Sequence, residues 1–138
     1  MSSFFLEIVS PERLAYSEEV GQVSVPSETG QLTVLPGHIP LFANLAEGEV
    51  IIRQNGEDHY LAIGGGFLEV TKKKVMILVT RVFKADELNE QAILQAKKDA
   101  EDALARGVTG GEMQAAQALL RSTLVDLKVL RRHRRLNV

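Results

Sequence analysis

The densest charge in the chain is Arg131-Arg132-His133-Arg134-Arg135, close to its C-terminal end. The other groups that could do chemistry are three histidines, a glycine triplet followed by three lysines, and scattered carboxylates. His38, His59 and His133 stand far apart in sequence. None has a second His, Cys or carboxylate at ligand spacing, so no metal site is expected. No Gly-x-Ser-x-Gly elbow occurs and no Ser/His/Asp triad can be assembled, so nothing marks the chain as an enzyme. Glu7, Glu12, Glu18 and Glu19 fall at strand ends and turns, where carboxylates are solvated. Gly64-Gly65-Gly66 lacks the third glycine of a dinucleotide fingerprint and the Gly-Lys-Ser/Thr of a P-loop, and a strand rather than a helix follows it. It reads as a bend or a close backbone approach, and Lys72-Lys73-Lys74 as a solvated turn protecting a sheet edge. The arginine cluster admits two readings, complementing a helix macrodipole or meeting an acidic protein surface. Nucleic acid is the weaker partner, because no aromatic platform accompanies the arginines.

These groups need elements to position them, and the middle of the first half supplies an unusual one. In Ser27-Glu28-Thr29-Gly30-Gln31-Leu32-Thr33-Val34-Leu35-Pro36-Gly37-His38-Ile39-Pro40-Leu41, a turn and a strand lead into a Pro-Gly-His-x-Pro corner. Pro36 and Pro40 fix their own φ and push Leu35 and Ile39 toward extended backbone, while Gly37 permits a positive φ between them. The expected result is a stiff, exposed loop, better suited to presenting a shape than to catalysis.

With 138 residues and 45% hydrophobic content, the chain fits one domain or a small domain with an appendage. The net charge of -2 favours neither general nucleic-acid binding nor a disordered acidic chain. Charge is uneven, with 7 basic and 10 acidic residues in 1–85 against 6 basic and 2 acidic in 112–138, so an electrostatic partner meets the C-terminal end. Absence of cysteine excludes disulfides. No apolar stretch approaches the roughly 18 residues of a membrane span. Met1 to Ser10 alternates apolar and polar residues without a basic flank or cleavage site, which reads as a strand and not a signal peptide. Membrane attachment would come through a partner.

Phe5, Ile8 and Val9, then Leu14 to Tyr16, then Val23 and Val25 read as short strands. The alternation slips near Val20 and Gly21, a candidate bulge. Leu41 to Leu45 and Glu49 to Arg53 follow, and Asn55-Gly56 supplies the two positive-φ residues of a type I′ turn that pairs Val50 to Arg53 with His59 to Ile63. Phe67 to Val70 and Val75 to Val79 complete about ten strands in some 85 residues, a β-sandwich or flattened barrel.

At Asp86, a candidate N-cap, the period changes. Leu88, Ala92, Ala96, Ala100 and Leu104 form one helical stripe with Ile93 and Ala103 beside it. Gly107 to Gly111 ends that helix, and a second begins near Glu112 with Met113, Ala116, Leu120, Leu124 and Leu127 on one face. Two antiparallel helices result. The expected domains are therefore a sandwich over 1–85 and a hairpin over 86–138. An alanine-rich contact between the helices is thin, at about 0.8 kcal/mol per buried methylene, so the hairpin must dock on something else. Docking on the sandwich and docking on a partner are expected to lie within a few kcal/mol of each other.

The ten-strand sandwich, the Gly30-Gln31-Leu32 to Pro36-Gly37-His38-Ile39-Pro40-Leu41 stretch, Gly64-Gly65-Gly66-Phe67-Leu68-Glu69-Val70 and the C-terminal helical hairpin together resemble the epsilon subunit of bacterial F-type ATP synthase, called delta in mitochondria. The resemblance implies a non-catalytic subunit of the central rotor stalk, whose sandwich links the gamma subunit to the membrane ring of c subunits and couples ion flow to rotation. It implies a peripheral membrane protein on the cytoplasmic side of the bacterial plasma membrane. Gln31 and His38, with Pro36 and Pro40, match the ring-facing loop. Glu is frequent in the family at Gln31, and Gly at Thr33. The hairpin of such subunits folds on the sandwich or extends along gamma into the hexamer of alpha and beta subunits, where it opposes ATP hydrolysis. Arg131, Arg132, Arg134 and Arg135 would then face an acidic loop of beta.

Nucleotide-binding members carry Ile/Leu-Asp-x-x-Arg-Ala at the start of the first helix. Here the matching residues are Leu88-Asn89-Glu90-Gln91-Ala92-Ile93, without the acidic residue or the arginine. Further arginines of that site fall on Ser122 and Asp126. A triphosphate needs several cations or helix N-terminal amides, and Lys97 and Lys98 are a poor substitute. No cofactor is expected, and ATP is not expected to act as a regulatory ligand. The alternative reading is an unrelated sandwich module that binds acidic protein or RNA through a basic helical tail.

Overall fold

The computed structural model describes residues 2–136. Met1 and the pair Asn137 and Val138, included in the expected elements over 1–10 and 86–138, lie outside the described residues. The strands are β1 (Phe4–Ser10), β2 (Arg13–Val20), β3 (Gln22–Ser27), β4 (Gly30–Val34), β5 (Leu41–Leu45), β6 (Gly48–Gln54), β7 (Glu57–Ile63), β8 (Gly66–Val70), β9 (Val75–Val79) and β10 (Val82–Lys84). A 3-10 turn, Ala85–Glu87, leads to α1 (Glu90–Ala105) and α2 (Gly110–Leu136).

The strands form a single folded sheet in the order β10-β7-β6-β3-β5-β8-β9-β1-β2, with β4 paired to β3. Period-two alternation explains how it closes on itself. Leu6 and Ile8 of β1 are fully buried between half-buried neighbours, and they pack with Val20, Val23, Val25, Ile52, Leu61, Ile63, Leu68 and Ile77. Arg13 Nη2 on β2 donates to the Val82 carbonyl on β10 at 2.9 Å, bridging the two ends of the sheet. Asn55 and Gly56 take φ of 53° and 80°, as a type I′ turn requires, and Val50 pairs with Leu61 and Arg53 with Asp58. β1 runs parallel to β9, an adjacency that local sequence does not announce.

The bulge is not at Gly21. The register shifts between Ile8 and Val9, which face Tyr16 and Leu14, so Ala15 is the extra residue. Gly21 instead joins β2 to β3, its N–H donating to the Arg53 carbonyl at 2.9 Å.

Asp86 does not cap the first helix either. It lies inside the 3-10 turn, and Asn89 is the N-cap, its Oδ1 accepting from the Ala92 N–H at 3.0 Å. The preceding turn is fixed separately. Glu87 accepts from the Lys84 N–H at 2.8 Å and from both terminal nitrogens of Arg13 at 2.7 Å. The Arg13 hydrogen bonds are the main cause holding the Glu87 carboxyl down at about 2.

The helices do form an antiparallel hairpin, and α2 begins at Gly110, slightly earlier than expected. Their buried faces overlap the expected stripes only in part. Ala100, Ala116 and Leu127 are buried as expected, with Ile93 beside them, but Ala92, Met113 and Leu124 are exposed, and Thr123, Asp126, Val129 and Leu130 are buried. The reason is that α2 serves two surfaces. Leu127 and Leu130 meet Ile93 of α1, while Val129 enters a second cluster with Tyr60, Ala62 and Ala85 of the sandwich. A single-stripe wheel cannot represent a helix packed on two sides.

Candidate functional site

Val34, almost fully buried, anchors the end of β4, and the chain then leaves the sandwich as a loop. The His38 N–H donates to the Leu35 carbonyl at 3.1 Å across Pro36 and Gly37, whose φ is 79°. The His38 ring Nδ1 donates to the Ile39 carbonyl at 2.7 Å, which fixes the imidazole over its own loop. Leu35 and Ile39 are 51% and 75% exposed, and Pro40 is exposed beside them. A groove of about 460 Å³ separates this loop from the Lys72–Lys74 turn and the start of β1. That turn is held by Thr71 Oγ1, which accepts from the Lys73 and Lys74 N–H groups, and Lys74 Nζ pairs with Glu7 at 2.6 Å.

Gln31, exposed on β4, lines a different cavity of about 410 Å³ with Glu47, Glu49, Lys128 and Arg132. Gln31 and His38 are thus not brought into one pocket. Gln31 is instead near the basic end of α2. There Arg132 reaches Glu49 at 3.5 Å, and its guanidinium lies 5.2 Å from the Tyr60 ring centroid. Burial pushes the Glu49 carboxyl up, opposed by Arg132 and Lys128. Arg134 pairs with Glu90 at the start of α1 at 3.0 Å, and Arg131 and Arg135 are exposed. The cluster read as one basic tail is therefore divided between two engaged and two solvated side chains. The ends of chain and strand also bring His59 and His133 to the same two cavities, which sequence distance concealed. Among the described residues, no group of three or more His, Cys, Asp or Glu is arranged to hold a metal.

The positions matching a nucleotide motif have other partners. Leu88 is half-buried between the two helical clusters, Asn89 caps α1, Ala92 is exposed and Ile93 is buried against Leu127 and Leu130. Asp126 accepts from Arg81 Nη2 at 2.8 Å, and the Ser122 carbonyl accepts from the same nitrogen at 3.4 Å.

One surface was not anticipated. Register places Phe67 opposite Leu78, Leu78 opposite Val9, and Val9 opposite Leu14, so these four side chains run across β8, β9, β1 and β2 on one face. Phe42 on β5 stands beside them, its ring centroid 5.5 Å from that of Phe67. Leu14, Phe42, Phe67 and Leu78 are 56%, 62%, 48% and 41% exposed. Such a row on the outside of a sandwich marks a surface for another protein. Within each strand the signal was only an apolar residue at an outward position, and long-range pairing was needed to join them.

Residues 3–85 match the family model described as ATP synthase, Delta/Epsilon chain, beta-sandwich domain. The chain belongs to this family. The ATP synthase epsilon chain of Chloroflexus aggregans is 40% identical over 94% of this chain and 93% of its own length. That of Herpetosiphon aurantiacus is 41% identical over 94% and 96%. Both alignments extend well past the sandwich. Among solved structures, a chain in the mitochondrial ATP synthase of Euglena gracilis, described as OSCP/F1/c-ring in rotational state 1, superposes with a TM-score of 0.67. The superposition covers 95% of this chain and 79% of that one at 18% identity. A chain in the central stalk and c-ring of the Tetrahymena thermophila enzyme superposes with a TM-score of 0.60 over 92% and 96% at 16% identity. These two likenesses concern the fold. Family membership sets aside the alternative of an unrelated sandwich module.

Proposed function

We propose that the chain is a non-catalytic central-stalk subunit, binding gamma through its sandwich, meeting the c-ring through the loop carrying Pro36, His38 and Pro40 and the strand carrying Gln31, and restraining ATP hydrolysis by alpha and beta through its hairpin. The observation that carries this reading is the exposed Phe42, Phe67, Leu78 and Leu14 face, on a chain of this family, away from the β6 and β7 surface that α2 covers. A permanent partner accounts for such a face, and gamma is that partner here. The sandwich over 1–85 is the binding domain and 86–138 the regulatory one. Among the described residues no helix is long and apolar enough to cross a membrane. The proposed place is peripheral, on the cytoplasmic face, held by the ring and gamma.

The test is ATP hydrolysis by the cognate complex carrying either the full chain or one ending at Lys84. A higher rate with the shortened chain, both versions remaining bound to gamma, is expected. Equal rates would remove inhibition from the hairpin and leave the sandwich as the working part.

ATP does not regulate this hairpin. The supporting features are the exposed methyl of Ala92, the commitment of the Asn89 side chain to the helix cap, and a carboxylate at Asp126 already paired with Arg81. Phosphates brought there would meet an acid. Calorimetric titration of the isolated chain with millimolar ATP is expected to give no binding heat and no rise in Tm. A saturable isotherm overturns this.

A further inference from the structure

Of the 7 basic residues in 1–85, Lys72, Lys73 and Lys74 stand together in the turn between β8 and β9. The others face acids. Arg13 pairs with Glu87, Arg53 with Asp58 and Arg81 with Asp126, while Lys84 lies close enough to Glu87 to help lower its carboxyl. Lys74 pairs with Glu7 at 2.6 Å. Lys72 and Lys73 are exposed, and neither pairs with a carboxylate among the described residues. The bonds from the Lys73 and Lys74 N–H groups to Thr71 Oγ1 hold the backbone beneath them. A sandwich with more acids than bases thus keeps one small positive patch uncompensated.

These lysines form one wall of the 460 Å³ groove, and the loop with the exposed Leu35 and Ile39 forms the other. Half-buried Phe4 and Phe5 also line it. Among the described residues its one acid is Glu19, which accepts from Ser3 Oγ at 2.9 Å. Exposed apolar side chains on a stiff loop, beside unpaired ammonium groups, suit an anionic bilayer surface: the apolar tips enter the headgroup layer while the lysines meet phosphates. Lysine favours this occupant over a fixed protein carboxylate. Its ammonium is a point charge on a flexible stem, without the fork that reads one carboxylate, and it gains from any of several mobile phosphates. We propose that this groove, through Lys72 and Lys73, binds anionic phospholipid headgroups and gives the chain a membrane contact of its own beside those made through other subunits. Its place at the membrane rests on the reading that the loop meets the c-ring. The affinity for lipid does not, because a vesicle contains no ring.

The experiment sediments the full chain with vesicles of phosphatidylglycerol and phosphatidylcholine in equal parts, and with vesicles of phosphatidylcholine alone, at low and at physiological salt. Wild type is expected to bind the mixed vesicles, less well as salt rises, and not the neutral ones. Lys72→Gln with Lys73→Gln should weaken that binding about 30-fold, as the loss of two surface charges implies. Ile39→Asn should weaken it about tenfold and leave its salt dependence unchanged. Arg131→Gln with Arg135→Gln, which alters the exposed arginines of α2, should leave it within about twofold of wild type, since these residues are not in the groove. Equal binding to neutral vesicles, no binding to mixed ones at low salt, or full binding by the lysine variant overturns the proposal. Loss in the arginine variant alone moves lipid binding to the hairpin and overturns the groove. Purified c-ring in detergent supplies the separate control. A lysine variant that keeps the vesicles but loses the ring gives the lysines to the ring and overturns the proposal. Lysine-dependent vesicle binding by a chain that does not bind the ring supports it and removes the ring reading instead.

Discussion

Replacing Gly66 with alanine is expected to destabilise the sandwich by about 3 kcal/mol or more, at the upper end of what overpacking costs. A Cβ at Gly66 would lie 1.9 Å from the Leu78 carbonyl oxygen and 2.8 Å from the Val79 Cα, both backbone atoms of the paired strand β9. β8 cannot retreat, because Leu45 of β5 holds Gly66 from the other side. At Gly64 the nearest obstacle, 2.1 Å away, is the Thr80 side-chain hydroxyl, which has more room to yield. At Gly21 nothing is closer than the Arg53 carbonyl at 3.5 Å. Urea unfolding of the three alanine variants should rank Gly66 far above Gly64 and Gly64 above Gly21. A Gly66 variant within about 0.5 kcal/mol of wild type would mean that the strands part more easily than a paired sheet should.

Leu78→Asp should weaken association with gamma by about 100-fold, equivalent to about 2.8 kcal/mol, while leaving the fold in place. Leu78 is in the middle of the outward row, between Phe67 and Val9, and its side chain is 41% exposed in the isolated chain. Aspartate there stays solvated until a partner covers it, whereupon a charge without a counter-ion is buried. Co-purification with gamma, together with circular dichroism of the isolated variant, separates binding from folding. Undiminished recovery of gamma by a well-folded variant would place gamma on another face.

Much of the architecture was legible because its signals are local. Asn55-Gly56 dictates its turn, the alternation in Phe4–Ser10 dictates a half-buried strand, and the change of period after Lys84 announces helices. Errors arose where two local signals compete or where a distant residue decides. Asp86 and Asn89 are both good caps. Arg13, far back in the chain, settles the choice by drawing Glu87 into a 3-10 turn that delays the helix. Leu124 and Met113 fit the wheel of a helix with one neighbour, yet α2 packs against both α1 and the sandwich. The surfaces were less legible than the fold. His38 and its prolines were visible as a loop, but the groove they share with Lys72–Lys74 joins segments from four parts of the chain. Nothing in Arg131 to Arg135 indicates that Arg132 meets Glu49, and nothing in β1 or β9 shows that Val9 and Leu78 stand side by side.

That parallel pairing of β1 with β9 has a consequence for biosynthesis. β1 leaves the ribosome first and finds β2 almost at once, but its other edge remains open until Val75–Val79 has been made. While the chain between β2 and β9 is being made, that edge of β1 has no partner strand. This is the interval in which a nascent chain is prone to wrong strand pairing and to capture by chaperones. It closes when β9 pairs with β1.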